Sequence, residues 1–374
     1  MREKALIFCF SNLASDPRVR KQIFALRNSY DIITVGYSES KIEHVVDHPI
    51  LHSEQKMSVV RKLSFIKSLI FNNFDSFYWT KSNIEVYKYL RNLDFDVIIA
   101  NDLEALPICT RIAKEKGIKC IGDLHEYYPG QGGQNSILYN KYNTYLCRQY
   151  LELPDELITV SKGIADLYKV NFEIECKHLV TNASKFHDLD ESRTGEIMRL
   201  VHHGGASRSR NIGSMIELMD LLEERFSLHL YLIGDAAYIE ELKIMSQGRN
   251  IVFHPPVHND DLIKEINQYD IGLYILDENL LNHKYCLPNK IFEFIQARLM
   301  IAITPNVDMA KLVFKYNVGC VSKDFFIQSM AEMLNGISKE QLQLHKNNTH
   351  KAAYDERDEL NYDIILNIVS SIIS

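Results

Sequence analysis

The sequence lacks several features that mark particular classes of protein. Its seven cysteines form no C-x-x-C pair and are spread over all 374 residues, so neither a zinc site nor a disulfide framework is expected, and a reducing compartment fits. A net charge of -7 argues against binding nucleic acid over the whole surface. No stretch approaches the ~20 apolar residues of a membrane-spanning helix, so we expect a cytoplasmic protein, at most peripheral on the inner face of the membrane.

What the sequence does contain is a repeated alternation of short apolar runs and helical patterns. In the first half the runs are Ala5–Phe10, Asp31–Gly36, Asp96–Ala100, Lys119–Gly122 and Glu156–Val160. Short apolar runs separated by helices are typical of parallel strands buried on both faces. The first run is interpreted as a strand and not as a signal peptide, because no small-residue cleavage site follows it. No G-x-G-x-x-G follows it either, which disfavours an NAD-dependent dehydrogenase.

The alternation breaks near Asn182 and restarts after a polar stretch at residues 184–196. This predicts an α/β fold of two Rossmann-like, doubly wound parallel-sheet domains, residues 1–183 and 184–350. The last segment, residues 351–374, has helical apolar spacing and is predicted to pack back on the first domain.

Two segments of the second half have features of an anion site. The loop predicted after the strand Met198–His202 contains Gly204, Gly205, Arg208 and Arg210. Glycines let a backbone approach a ligand closely, and arginines complement a pyrophosphate. The alternative is an ordinary glycine turn with solvated arginines.

A second loop-to-helix junction starts at Pro288, which suits the first turn of a helix. Glu293 lies one turn into that helix, where a carboxylate could hold a ribose diol through two hydrogen bonds. The alternative is a surface glutamate. In the first half, His125 and Glu126 follow a strand, and His125 could bind a sugar hydroxyl or a phosphate. The alternative is a histidine satisfied within its own loop.

Together these segments resemble the family-4 glycosyltransferases of GT-B architecture, in particular bacterial members of the polysaccharide type. The resemblance extends through nearly the whole chain. The matching segments are SDPRVRK at 15–21, NDLEALP at 101–107, DLHE at 123–126, TVSK at 159–162, VTN at 180–182, Gly204–Gly205, LIGD at 232–235 and LPNKIFE at 287–293.

The resemblance implies two domains facing each other across a cleft, with a UDP- or GDP-linked sugar donor on the second and a saccharide or lipid-linked acceptor on the first. It also implies a hexosyltransferase of surface polysaccharide biosynthesis that retains anomeric configuration and needs neither a metal nor a cofactor. Arg210 matches the position that binds donor phosphates, Glu293 the ribose-binding glutamate, and His125 a residue that contacts the transferred sugar. The predicted site residues are His125 and Glu126 for catalysis, Asp16 and Arg18 on the acceptor side, and Gly204, Gly205, Arg208, Arg210, Gly234, Val257, Leu287, Asn289, Lys290 and Glu293 for the donor.

One position departs from the family pattern. The family commonly has a second glutamate eight residues before the ribose-binding one, and here that position is Tyr285. Two alternatives therefore stay open. One is a GT-B sugar-nucleotide epimerase, which would convert the donor without an acceptor. The other is a binding or scaffold protein that kept the fold and lost catalysis.

Residues 56 to 74 combine Lys56, Arg61, Lys62 and Lys67 with apolar residues at helical spacing. A basic amphipathic helix in an acidic protein suggests contact with an anionic membrane, beside a lipid-linked acceptor. A core-packed helix with snorkelling lysines explains the same pattern.

Overall fold

The computed structural model describes residues 2–50, 59–131 and 137–373. The chain divides into two compact units. The first unit contains the residues up to Thr181 together with those from Glu359 onward, and the second unit is Asn182–Asp358. No helix within the described ranges is long and apolar enough to cross a membrane.

The first unit is built on one parallel sheet in the order β3-β2-β1-β4-β5-β6-β7. Its strands are β1 (Lys4–Phe8), β2 (Asp31–Gly36), β3 (Val45–Pro49), β4 (Val97–Asn101), β5 (Lys119–Leu124), β6 (Glu156–Thr159) and β7 (His178–Leu179). Its helices are α1 (Pro17–Leu26), α2 (Val59–Phe71), α3 (Asp75–Tyr78), α4 (Lys81–Arg91), α5 (Leu106–Lys116), α6 (Ile137–Tyr150) and α7 (Lys162–Phe172).

Capping residues mark the ends of two helices of this unit. The side chain of Asp16 accepts hydrogen bonds from the backbone amides of Arg18 and Val19, so it caps α1 at its N-terminus. Helix α5 ends at Gly117, whose φ of 68° suits a C-terminal cap. The strand order reverses between β1 and β4, and in open parallel sheets ligands bind beyond the carboxyl ends of the strands at such a point.

The second unit repeats this plan in the order β10-β9-β8-β11-β12-β13, with the reversal between β8 and β11. Its strands are β8 (Met198–Ala206), β9 (Phe226–Gly234), β10 (Ile251–His254), β11 (Ile271–Tyr274), β12 (Met300–Ile303) and β13 (Gly319–Val321). Its helices are α8 (Ile212–Leu218), α9 (Ala236–Met245), α10 (Asn259–Ile266), α11 (Leu281–Tyr285), α12 (Asn289–Gln296), α13 (Val307–Tyr316), α14 (Ile327–Asn335) and α15 (Lys339–Asp355). Both sheets are parallel throughout, as predicted.

The last helix, α16 (Asp358–Ile373), belongs mainly to the first unit. Ile365, Ile368 and Val369 are buried in the core of the first unit. The predicted returning segment began at residue 351, which is too early. Helix α15 continues to Asp355 and buries Ala352 and Ala353 in the core of the second unit, so only residues from 359 onward return. The units divide after residue 181, two residues before the predicted boundary.

Two further differences concern strands. Strand β8 continues to Ala206, four residues beyond its predicted end at His202, because residues 203–206 pair with β9. Strand β3 was not predicted, since none of its residues is buried and its sequence, VVDHP, shows no continuous apolar run. In the predicted helix at residues 56–74, α2 covers Val59–Phe71, while Lys56 lies outside the described residues.

Candidate functional site

A basic cluster lies at the end of β8 in the second unit. The Lys290 ammonium group donates a hydrogen bond to the carbonyl of His203. A Cβ atom added at Gly204 would lie 2.8 Å from Lys290 Nζ and 3.7 Å from a guanidinium nitrogen of Arg210. Gly204 also has a φ of 114°, a conformation that side chains rarely adopt. A glycine here therefore leaves room for the Lys290 ammonium beside the backbone, while Arg210 lies at an ordinary contact distance.

Helix α12 positions Lys290 and Glu293 together. The helix begins after Pro288 and turns Ile291, Phe292, Phe294 and Ile295 into the core. Residues three apart on a helix lie on one side. Lys290 is consequently buried beside the end of β8, and Glu293 follows one turn later with 24% of its side chain exposed.

The cluster holds more positive than negative charge. Burial lowers the pKa of Lys290 to about 8, Glu293 partly offsets this, and Arg210 lowers it further. Burial raises the pKa of Glu293, and Lys290 opposes that shift. Two cations against one carboxylate, with Lys290 buried, give an arrangement that a bound anion would stabilise.

Two histidines of β8 flank the cluster and are neutral. Burial, followed by the charge of Lys290, holds the pKa of both His202 and His203 well below its ordinary value. His202 Nδ1 lies 2.9 Å from the carbonyl of Leu273. His203 Nε2 lies 3.4 Å from a carboxylate oxygen of Glu293 and has no hydrogen-bond partner among the described residues. His203 is not among the site residues predicted from the sequence, although its place directly before the glycine pair was a usable signal.

The structure does not join Arg208 to this cluster through a hydrogen bond or ion pair among the described residues. Its guanidinium donates to the carboxylate of Glu241 at 2.5 and 2.8 Å and lies 4.7 Å from the ring centre of Tyr238. Arg208 is therefore held toward α9, and the prediction that it assists in donor binding would require this ion pair to open.

The other predicted donor residues lie on further elements of the second unit. Gly234 has a φ of 119° and ends β9. Val257 packs against the core, and Asn289 is the first residue of α12. The carbonyl of Leu287 accepts a hydrogen bond from Asn182 at 3.1 Å. One hydrogen bond of that carbonyl is therefore made within the protein.

The segment that carries Tyr285 contains a histidine–aspartate pair. Tyr285 ends α11, and the Lys284 ammonium lies 5.7 Å from its ring centre. In the same segment His283 Nδ1 lies 3.1 Å from a carboxylate oxygen of Asp277. Asp277, one of two adjacent acidic residues shortly before Tyr285, is therefore already paired with a histidine.

In the first unit, His125 pairs with Asp102. His125 Nε2 lies 3.0 Å from Asp102 Oδ1, and the hydroxyl of Tyr128 donates to the same oxygen. Burial alone would lower the pKa of His125, but the carboxylate outweighs it and raises the pKa to about 9. Burial alone would raise the pKa of Asp102, but His125 and Tyr128 hold it below its usual range. The pair is therefore an imidazolium beside a carboxylate at neutral pH.

The imidazole has a second nitrogen. His125 Nδ1 is buried and has no hydrogen-bond partner among the described residues. Glu126, the other predicted catalytic residue, accepts from Gln131 at 2.8 Å through its carboxylate, and its carbonyl accepts from Tyr168. His125 can therefore still donate a hydrogen bond through Nδ1, whereas an ionised Glu126 carboxylate can only accept.

Arg18 was predicted on the acceptor side, but the structure gives it an internal role. Its guanidinium donates two hydrogen bonds to Asp123, at 2.8 and 2.6 Å, and one to the carbonyl of Val180 at 2.5 Å. Gln22 donates to the same carboxylate at 2.6 Å. Arg18 and Asp123 are 5% and 1% exposed, so this pair is a buried structural bridge.

Asp16 likewise acts within the fold. One of its carboxylate oxygens caps α1, and the other accepts from Ser11 at 2.6 Å and lies 3.8 Å from the thiol of Cys9. Within residues 2–50, 59–131 and 137–373, no group of three or more His, Cys, Asp or Glu side chains is arranged to hold a metal ion.

No protein-family model matches the chain, and no curated protein sequence matches it. Several solved structures are similar. HepE of Anabaena, in complex with UDP and glucose, has a TM-score of 0.73 at 12% identity and covers 99% of this chain and 100% of that chain. Sucrose-phosphate synthase of Thermosynechococcus elongatus has a TM-score of 0.72 at 12% identity, over 99% and 98% of the two chains.

A UDP-forming α,α-trehalose-phosphate synthase of Burkholderia xenovorans has a TM-score of 0.66 at 11% identity, over 100% of both chains. At this level of identity the likeness establishes the fold and leaves function to be argued from the site. The chain has the GT-B fold, with the two Rossmann-like parallel sheets predicted from the sequence.

Proposed function

We propose that the protein is a glycosyltransferase that moves a sugar from a nucleotide-sugar donor to a saccharide or lipid-linked saccharide acceptor. The observation that carries this proposal is the cluster of Arg210, Glu293 and the buried Lys290 beside Gly204, set at the carboxyl end of β8 in a GT-B fold. The similar HepE structures contain UDP or UDP-glucose, which makes a UDP-linked sugar the first donor to test.

In the proposed complex, Arg210 and Lys290 bind the diphosphate and Glu293 binds the ribose hydroxyls. A diphosphate would supply the negative charge that this cluster lacks, and it would draw the Lys290 amine back to its charged form. Fixed cations can also stabilise the departing diphosphate during transfer, as a metal ion would. Metal independence is therefore part of the proposal.

His125 is proposed to act from the first unit, with Asp102 and Tyr128 as positioning residues. Asp102 keeps the imidazole charged, and a charged imidazole is a strong hydrogen-bond donor. Its proposed partner is the transferred sugar near the leaving phosphate. Retention of anomeric configuration and a role in surface polysaccharide assembly are proposed on the family resemblance of the sequence.

Thermal unfolding with UDP, GDP and their sugars tests the donor site. A ligand at a hundredfold its dissociation constant stabilises the folded protein by roughly 2.7 kcal/mol. We expect this stabilisation with one base class, and we expect its loss in Lys290→Ala and Glu293→Ala. The matched controls are Lys243→Ala and Glu240→Ala on α9, which form an exposed pair with the same spacing and should leave it unchanged. Stabilisation by no nucleotide would favour the scaffold alternative.

Product analysis then tests the reaction. With donor alone, a glycosyltransferase should release little sugar, whereas an epimerase would convert the donor completely to its equilibrium mixture. A new glycosidic product that forms only when an acceptor is added would support transfer. Complete conversion without an acceptor would replace the proposal by epimerisation.

A further inference from the structure

The outward face of α2 carries a row of exposed apolar side chains. Leu63, Ile66, Ile70 and Phe71 are between 52% and 73% exposed. Their spacing of three, four and one residues places them along one side of the helix. Single exposed apolar residues are normal on a protein surface, but a row over two turns is a patch of the kind that marks an interaction surface.

The opposite face of α2 is fixed to the first unit. The ring of Phe65 lies 4.9 Å from that of Phe77 and 5.8 Å from that of Phe74, and Ser68 is buried. The Arg61 guanidinium lies 5.3 Å from the ring centre of Phe77, so Arg61 belongs to this inner face. Because the helix already has its core contacts, the outward row is not needed for packing within the described residues.

The charged residues of α2 itself are all basic, although the exposed Asp75 lies near Lys67 and Phe71 at the end of the helix. Lys62 and Lys67 are exposed, and residues 59–71 contain no Asp or Glu, although the whole chain has a net charge of -7. In a symmetric contact between two copies, the same basic patch would meet itself and be repelled. An anionic surface matches both the charge and the apolar row.

We propose that α2 docks the first unit on an anionic lipid surface. Leu63, Ile66, Ile70 and Phe71 enter the interfacial layer, and Lys62 and Lys67 contact the head groups, as in other amphipathic helices that lie in a membrane plane. This surface belongs to the first unit and shares no residue with the basic cluster of the second unit. Membrane docking therefore does not require the proposed transferase activity.

Co-sedimentation of the full chain with vesicles of phosphatidylglycerol and phosphatidylcholine tests the electrostatic part. A basic residue near an anionic surface contributes roughly fivefold to binding, so Lys62→Glu/Lys67→Glu should weaken it by at least about 25-fold. The matched control is Lys81→Glu/Lys88→Glu on α4, which changes the net charge equally and should have a much smaller effect. Pure phosphatidylcholine vesicles should bind the wild type weakly. Absence of wild-type binding, or an equal loss in the control, would overturn the proposal.

The apolar part has its own test. Ile66→Ser/Ile70→Ser should reduce binding by about tenfold or more, because the two side chains no longer enter the interface. Ile244→Ser/Phe326→Ser removes two similarly exposed apolar residues of the second unit and should leave binding unchanged. Thermal unfolding of each variant shows that the fold is intact. A concentration-dependent dimer that Ile66→Ser/Ile70→Ser abolishes would identify a second copy as the occupant and refute the lipid proposal.

A fluorescent probe reports insertion directly. The chain contains a single tryptophan, Trp79, so Trp79→Phe combined with Phe71→Trp places the only indole on the outward row. Its emission should shift to shorter wavelength when anionic vesicles are added. Vesicle binding requires no nucleotide, so failure here and failure of nucleotide binding are separate results.

Discussion

The proposed nucleotide binding is expected to depend on pH in the alkaline range, because the amine of Lys290 is buried. Burial lowers its pKa to about 8, so the unliganded protein loses this proton as the pH rises from 7 to 9. A bound diphosphate would favour the charged amine. If only the charged form binds, the apparent dissociation constant rises by a factor of about 1.1 at pH 7 and about 11 at pH 9. Affinity should therefore fall roughly tenfold between these values, or about 1.4 kcal/mol.

Isothermal titration calorimetry of UDP at pH 7 and pH 9 measures this change. Above pH 8 binding should take up close to one proton, which appears as a heat that depends on the ionisation enthalpy of the buffer. Lys290→Arg keeps its charge at both pH values and should bind with little pH dependence. Lys290→Gln should bind weakly at both. A wild-type affinity that is equal at pH 7 and pH 9 would refute the reasoning.

The variants also decide which group titrates. Arg210, Glu293 and His203 surround the amine, and the pKa of His203 is lowered by burial, so it stays neutral throughout this range. His125, with a pKa of about 9, titrates in the first unit. If Lys290→Arg retained the tenfold loss, the responsible proton would lie elsewhere, with His125 as the first candidate.

Three further predictions concern single side chains. Arg18→Ala leaves the buried carboxylate of Asp123 without a counter-ion and should destabilise the first unit by about 3–5 kcal/mol. Urea unfolding followed by the fluorescence of the single tryptophan measures this change. A loss of stability below about 1 kcal/mol would contradict the buried bridge. Asp102→Asn should return the pKa of His125 from about 9 to 6.5 or below, as seen by NMR titration. The stability that Asp102 confers through His125 is therefore full below pH 6.5 and disappears as the pH rises to 9. Gly204→Ala should abolish nucleotide binding, whereas Gly248→Ala, at a positive φ with open space around it, should only lower stability.

The elements that the sequence predicts well are those with local signals. Strand β2 has its predicted bounds, since its apolar run is contained in the segment itself. Strand β8 was predicted too short because two glycines suggest a turn. Its extension depends on pairing with β9, which lies 28 residues further along the chain and is invisible to a local pattern.

The candidate site shows the same division. The local sequence pattern predicted Gly204, Arg210, Lys290 and Glu293 as site residues, and the structure brings Lys290 together with the other three. The same pattern could not predict the ion pair of Arg208 with Glu241, because the two residues are 33 positions apart and meet only in the fold. The internal pairing of Arg18 is hidden from a local pattern for a similar reason, since its partner Asp123 is 105 residues away.

Buried lysines of the second unit show why charge alone does not identify a site. Lys346 is fully buried, yet its ammonium donates to Ser192, to the carbonyl of Tyr269 and to the carboxylate of Asp270. Three acceptors, one of them charged, satisfy all its donors, so this lysine stabilises the fold and needs no ligand.

Lys290 is almost as deeply buried, but it has one hydrogen-bond acceptor among the described residues, a backbone carbonyl. Arg210 repels it, and Glu293 offsets the cost of its burial only in part. A buried ammonium with donors to spare is costly to the protein alone. Because an anionic ligand would supply the missing acceptors and the missing charge, the deficit at Lys290 favours the proposed donor site over a structural ion pair.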